Sequence, residues 1–205
     1  MGTLRAERTA ATRQKLLDAA VEQFRDKPYD QVSIQDIATE AGVAYGLVAH
    51  HFGNKRGIQL EAVREIARRL DPQPPPQGPA STQIRHLARV RFSSIERYPV
   101  AWVGLIRGAD PESRAVIDAS RQRGIRLVGQ ILGLDPERPV LRLAMRSCLA
   151  AADEIAVAWL QDERPFPVED IIEMLMATMA EMLRQAVRLD PEIDATQALA
   201  ALGRP

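Results

Sequence analysis

Residues 33–52, SIQDIATEAGVAYGLVAHHF, constrain the fold more than any other stretch of the chain. Ser33 stands where the N-cap of a helix belongs, and Asp36, three residues on, is placed to return a hydrogen bond to it, a capping box. Ile34, Ile37 and Ala38 follow at helical spacing and mark a buried face. Ala38 is small, as a close helix crossing requires. Gly42 can take the left-handed backbone that ends a helix without a Cβ penalty. Val43 and Val48 then supply apolar posts for a second short helix. Small residue, glycine, then an apolar residue six positions later is the spacing of a helix-turn-helix, whose second helix lies in a DNA major groove. The same spacing also fits a plain helical hairpin, because such triads recur by chance.

The remainder of the chain is periodic in the helical sense. Leu16, Leu17, Ala20 and Phe24 form one stripe, which predicts helix 1 over about 9–26, ended by Lys27 and Pro28. Helix 2 is expected over 34–40 and helix 3 over 45–51. Asn54 is a good N-cap for a helix 4 that runs to about Leu70 and serves as a mechanical connector. The run DPQPPPQGP, 71–79, cannot be helical and reads as a linker or exposed loop. Further helices are expected over 81–97, 100–108, 111–132, 139–162 and 167–189, with a short tail helix at 194–202. Pro111 suits a first turn, and Gly124 and Gly129 mark a candidate bend. Hydrophobic residues make up 46% and aromatics 4%, so the core is aliphatic and alanine-rich, which favours helices over strands. The fold class is all-α: a three-helix helix-turn-helix domain over 1–56 and a larger helical domain over 57–205.

The formal net charge is zero, so a globally basic nucleic-acid binder is excluded. Charge is nonetheless local. Residues 1–15 hold Arg5, Arg8, Arg13 and Lys15 against Glu7, and residues 50–56 hold His50, His51, Lys55 and Arg56 with no acid. Both clusters flank the 33–52 segment, where phosphate contacts would be needed. Cys148 is the single cysteine, set in an apolar helical run, and reads as a small core residue rather than a redox sensor. No apolar run reaches the ~18 residues of a membrane span. The polar N-terminus has no signal-peptide core, so a cytoplasmic location without a membrane partner is expected.

The run from Thr12 to Lys55 resembles the TetR family of bacterial transcriptional regulators. The matching pieces are TRQKLLDAA (12–20), Phe24, Tyr29, VSI (32–34), IA (37–38), AGVAYG (41–46) and HHFGNK (50–55). The resemblance implies a homodimer that binds a double-stranded DNA operator and represses until a small-molecule effector releases it. Three positions depart from the family pattern. Ala44 and Tyr45 stand where a Ser or Thr and then a Lys are common, and Ala49 replaces a tyrosine that commonly touches phosphate.

Within this frame Ala44, Tyr45, Gly46, Leu47, His50 and His51 are the exposed candidates on helix 3, with Val48 turned inward. Tyr45 and His50 suit base edges or sugars, and Ala44 and Leu47 suit thymine methyls. Lys55 resembles the family's phosphate lysine. Ser33 and Thr12 are candidates for phosphate oxygens, aided by the helix 2 dipole. His50 and His51 are adjacent on a helix and point about 100° apart, so they do not suggest a shared metal ion.

Between Leu143 and Leu160 only Arg146, Asp153 and Glu154 are charged, and helix 9 carries a wide apolar face with Met174, Met176, Met179 and Met182. Two helices that apolar call for cover beyond one monomer core, which predicts a homodimer through the last two long helices. Two recognition helices about 34 Å apart then call for a near-palindromic operator. By resemblance an effector pocket lies among helices 5 to 8, with Phe92, Trp102, Arg107, Met145, Cys148, Leu149 and Trp159 as candidate lining, or as plain core. Arg107, Asp153 and Glu154 need partners in apolar helices, either one another or a polar group on a ligand. No phosphate-binding glycine loop, nucleophile elbow or metal-ligand cluster occurs, so no cofactor or catalytic residue is expected. The other readings are a DNA-binding protein of chromosome organisation without an effector and, further off, an all-helical enzyme.

Overall fold

The computed structural model describes residues 2–69, 71, 73–108 and 110–203, with side chains from Leu4 onward. Among these residues all regular structure is helical. Leu70, the expected end of helix 4, and Pro72 of the proline-rich run lie outside the described residues. The chain forms two compact units, Met1–Arg69 with Arg97–Ile117, and Leu70–Glu96 with Asp118–Pro205.

The first unit contains α1 (Gly2–Asp26), a 3-10 turn at Tyr29–Gln31, α2 (Ile34–Glu40), α3 (Gly46–Phe52) and α4 (Lys55–Arg69). Helix α1 packs on α2 and α4, and α3 packs on α2 and α4. Leu16, Ala20, Ile37, Ala38, Val48, Ile58 and Ala62 are fully buried where these helices meet. Helix α1 starts earlier than its apolar stripe indicates. Its first turns, from Leu4 to Ala11, are exposed. Alanine, arginine and glutamate there are strong helix formers, and no proline or glycine after Gly2 interrupts them.

The junction of α3 and α4 is tight. The Gly57 amide donates to Asn54 Oδ1 at 2.9 Å, so Asn54 caps α4 as its sequence position predicts. A Cβ on Gly57 would lie 1.9 Å from the Phe52 carbonyl oxygen, so only glycine fits between the two helices. Two elements from later in the chain complete this unit: α6 (Pro99–Gly108), which packs on α1, and the first turns of α7 (Pro111–Leu132). Its compact extent is therefore larger than residues 1–56.

The second unit holds α5 (Ala80–Arg97) up to Glu96, α7 from Asp118, α8 (Pro139–Gln161), α9 (Val168–Leu189) and α10 (Thr196–Leu202). Helix α7 continues through Gly124 and Gly129 without a break. Helices α8 and α9 pack along each other, and α10 closes on α9. Ile84, Ile125, Leu141, Met145, Ile172, Met176 and Leu183 are part of one buried cluster. Helices α8 and α9 still leave Leu143, Met174 and Met182 at 64%, 48% and 38% exposure. No helix among the described residues is long and apolar enough to cross a membrane.

Candidate nucleic-acid interface and an apolar chamber

The turn between α2 and α3 closes by backbone hydrogen bonds. Ala41 N–H donates to Ile37 O at 3.0 Å, Gly42 N–H to Thr39 O at 3.1 Å, and Val43 N–H to Ala38 O at 3.0 Å. Gly42 has φ +64°, the left-handed position this closure needs. Ahead of α2, Ser33 Oγ accepts from Asp36 N–H at 3.1 Å while Ser33 N–H donates to Asp36 Oδ2 at 2.8 Å, so the capping box is complete. The Ser33 hydroxyl also donates to Asp36 Oδ2 at 2.7 Å, and its proton is committed inside the protein. These bonds hold the Asp36 carboxyl below its ordinary value of 3.8. A depressed carboxyl stabilises the fold above the unfolded value and loses that contribution as pH falls through the folded one. Ser33→Ala is accordingly expected to lower the melting temperature modestly at neutral pH, with the gap to wild type narrowing below pH 3.8 in thermal melts.

Helix α3 buries Val48 alone. Ala44, Tyr45, Gly46, Ala49 and His50 are exposed, with Tyr45 at 55%, and Leu47 and His51 are half-buried. None of the six predicted positions, Ala44 and Tyr45 ahead of α3 and Gly46, Leu47, His50 and His51 within it, is buried. His50 and His51 meet edge to face at 5.0 Å. Desolvation, with His50 and Arg13 nearby, pushes His51 below its ordinary 6.5. Among the described residues no group of three His, Cys, Asp or Glu side chains is placed to hold a metal ion.

The flanking cations divide by their partners. Lys55 lies with its ammonium 4.3 Å from the centre of the Tyr29 ring, which orients it beside α3 without neutralising it. Arg13 instead bonds Glu61 at 2.6 Å and covers the Phe52 ring at 4.9 Å, bracing the end of α3. Arg56 reaches Glu112 at 3.2 Å and Asp110 at 3.6 Å, so a cluster without an acid in sequence acquires two in space. The Thr12 hydroxyl donates to Arg8 O at 2.9 Å along its own helix.

The second unit encloses a cavity of about 160 Å³ among α5, α7, α8 and α9. Ile84, Phe92, Val128, Met145, Leu149 and Met176 give it apolar walls, and Cys148 lies among them. Burial pushes the Cys148 thiol up to about 11, so it is an unreactive lining group. Of the residues expected at such a site, Phe92, Met145, Cys148 and Leu149 are brought together. Trp159 stands behind Phe92, meeting it edge to face at 5.8 Å and donating its indole N–H to Phe166 O at 2.9 Å. Trp102 and Arg107 belong to the first unit and are not among the lining.

Asp153 is 2% exposed and takes neither Arg107 nor Glu154 as its partner in the ion pairs of this unit. Arg91 pairs with its Oδ1, and Arg121 grips Oδ2 through Nε at 3.0 Å and a terminal nitrogen at 2.5 Å. Both arginines line the cavity, and sequence reasoning missed both. They lie 62 and 32 residues from Asp153, on separate helices, and nothing local in sequence pairs them.

Comparison with known proteins places this geometry. The family model "Bacterial regulatory proteins, tetR family" matches residues 16–62, the helices around the turn. A tetR-family transcriptional regulator from Streptomyces coelicolor superposes with a TM-score of 0.82 at 25% identity, covering 93% of this chain and 86% of that one. Residues 16–62 are a TetR-family regulatory domain. The chain's curated relatives match over part of their length. The HTH-type transcriptional regulator BetI of Cronobacter sakazakii is 34% identical over 82 residues, 38% of this chain and 41% of that protein. An uncharacterized HTH-type transcriptional regulator of Mycobacterium tuberculosis is 31% identical over 119 residues, 56% of each chain. The matches thus span between two fifths and rather more than half of these relatives' lengths. FadR of Bacillus subtilis, solved with stearoyl-CoA, shares the fold with a TM-score of 0.62 at 20% identity, over 82% of this chain and 96% of that one. The TetR family is one of transcriptional regulators, not of enzymes.

Proposed function

We propose that this chain is a dimeric repressor of the TetR family that binds a near-palindromic DNA operator through α3 and is released by a small molecule in the α5–α9 chamber. The observation that carries the reading is the α3 surface. A helix held by one buried valine presents Ala44, Tyr45, Gly46, Leu47, His50 and His51 outward, beside Lys55, whose ammonium lies over the Tyr29 ring. A cytoplasmic site of action goes with that task. The exposed Leu143, Met174 and Met182 on α8 and α9 support pairing with a second copy through those helices.

DNA selection with the purified protein tests the reading. The expected result is an enriched inverted repeat with half-sites about one helical turn apart. Recovery of no sequence preference would overturn it. Two substitutions divide the interface further. Lys55→Ala is expected to weaken binding to every sequence alike and to lower the salt slope of log K by about one, as loss of one phosphate contact requires. Tyr45→Ala is expected to remove about 1–3 kcal/mol of discrimination at one base step while leaving the salt slope unchanged. Competition binding against single-base operator variants at several salt concentrations separates the two outcomes.

A further inference from the structure

The chamber among α5, α7, α8 and α9 keeps open a space that larger side chains would fill. Three of these helices each place a small residue on its wall, Ala88 on α5, Gly124 on α7 and Ala152 on α8, around a void of about 160 Å³. A core shaped for stability alone closes such a void, because every missing methylene forfeits contacts and burial. The space also has a way in, since Val90 belongs to the wall and is 40% exposed. The polar groups of the wall are engaged within the protein. Arg121 donates through all three guanidinium nitrogens, two of them to Asp153 Oδ2 at 3.0 and 2.5 Å and one to Asp118 Oδ1 at 3.0 Å. Arg91 pairs with Asp153 Oδ1, and the Ser120 hydroxyl donates to Asp71 Oδ1 at 2.9 Å. Cys148 is a buried neutral thiol. The other described lining residues are apolar.

From this we infer that the chamber takes a neutral, hydrocarbon-like molecule of about six to eight carbons. Volume sets the size. About 160 Å³ is close to the ~150 Å³ of an apolar cavity known to take benzene. Met145, Met176 and Met179 are adaptable thioethers that tolerate variation in the outline of the guest. The driving force is removal of its apolar surface from water. The pairing of the wall sets the charge. A carboxylate would have to displace Asp153 from bonds already made, or lie buried close to it with like charge. An ammonium would meet the guanidinium groups of Arg91 and Arg121. Either ion would give up its water without bonds that compensate, a cost that an uncharged guest does not carry.

This inference rests on the ligand-responsive reading above, and its test is run on DNA-free protein so that the two fail separately. Isothermal titration of the full chain with ethylbenzene, benzoate and benzylamine at neutral pH compares one ring that is uncharged, anionic and cationic. Ethylbenzene is expected to bind about ten-fold or more tightly than either ion, with a negative heat-capacity change. It should also slow the reaction of Cys148, the chain's single cysteine, with a thiol reagent, which locates the guest in the chamber. Ala88→Leu and Ala152→Leu fill the space from two helices, and each should weaken ethylbenzene binding about ten-fold or more. No binding of ethylbenzene overturns the inference, as does either ion binding as tightly. So does ethylbenzene binding that neither filling variant weakens while both are folded by circular dichroism. If neither variant folds, the wild-type series and the protection of Cys148 decide. Selective ethylbenzene binding by a protein that enriches no operator upholds the chamber chemistry while the reading it rests on fails.

Discussion

Gly57→Ala is expected to cost about 3 kcal/mol or more of stability and to abolish specific DNA binding in whatever fraction still folds. The added methyl would lie 1.9 Å from the Phe52 carbonyl oxygen, and its next contact is the Phe52 carbonyl carbon at 3.1 Å. Both are backbone atoms, so no side chain can swing away to make room. Relief requires the end of α3 and the start of α4 to separate, and each is anchored. Val48 and Ile58 are fully buried on either side of the junction, and the Phe52 ring lies beneath Arg13. Any shift that removes the overlap therefore moves the surface that carries Tyr45 and His50. Gly46→Ala is the matched control. A Cβ there meets nothing within 4 Å, so its melting temperature should stay close to wild type. Thermal melts of the two variants, with operator binding measured well below each transition, check the contrast. Equal melting temperatures for Gly57→Ala and wild type would falsify the clash.

The first unit was largely legible in sequence because its determinants are short-range. A capping box spans four residues, a left-handed glycine closes a short turn, and the apolar stripe of α1 repeats within each turn. Each signal needs only its neighbours, and each appears in the structure where the spacing put it: Ser33 with Asp36, Gly42 between α2 and α3, Asn54 at the start of α4. The role of Gly57 was not legible. Glycine in a first helical turn reads as a weak helix former, and only the position of the Phe52 carbonyl shows that a side chain has no room. The electrostatics of the flanks were also misleading in one dimension. Arg56 sits in a run without an acid, yet α6 and α7 bring Asp110 and Glu112 to it, and Arg13 is consumed by Glu61.

In the second unit periodicity gave the helices and their buried faces but not the pairing of charges across them. A buried aspartate in an apolar helix announces that a partner exists. Which partner depends on how α5, α7 and α8 are rotated against one another. Arg107, Arg91 and Arg121 are chemically equivalent candidates in sequence, and long-range packing alone selects the last two. The same rotation turns the two arginines toward the chamber and leaves the carboxylate behind them, so the feature that bears on ligand chemistry is tertiary in origin.

Asp153→Ala is expected to destabilise the second unit by about 3–5 kcal/mol, because it leaves Arg91 and Arg121 facing each other without their shared anion. Their side chains are 22% and 28% exposed, so water recovers only part of what the carboxylate supplied. Asp153→Asn should be milder, since the amide oxygen still accepts a hydrogen bond but brings no charge. The converse change separates charge from packing. Replacing the whole cluster with apolar groups of similar length, Asp153→Leu with Arg91→Met and Arg121→Met, removes the charges together with their need for one another and is expected to recover most of the lost stability. Chemical denaturation of the three variants reads their order. If the triple variant is as unstable as Asp153→Ala, the cluster contributes through packing rather than through charge. Recovery of stability identifies charge as the cause, since the fold is then shown to stand once all three groups are replaced together.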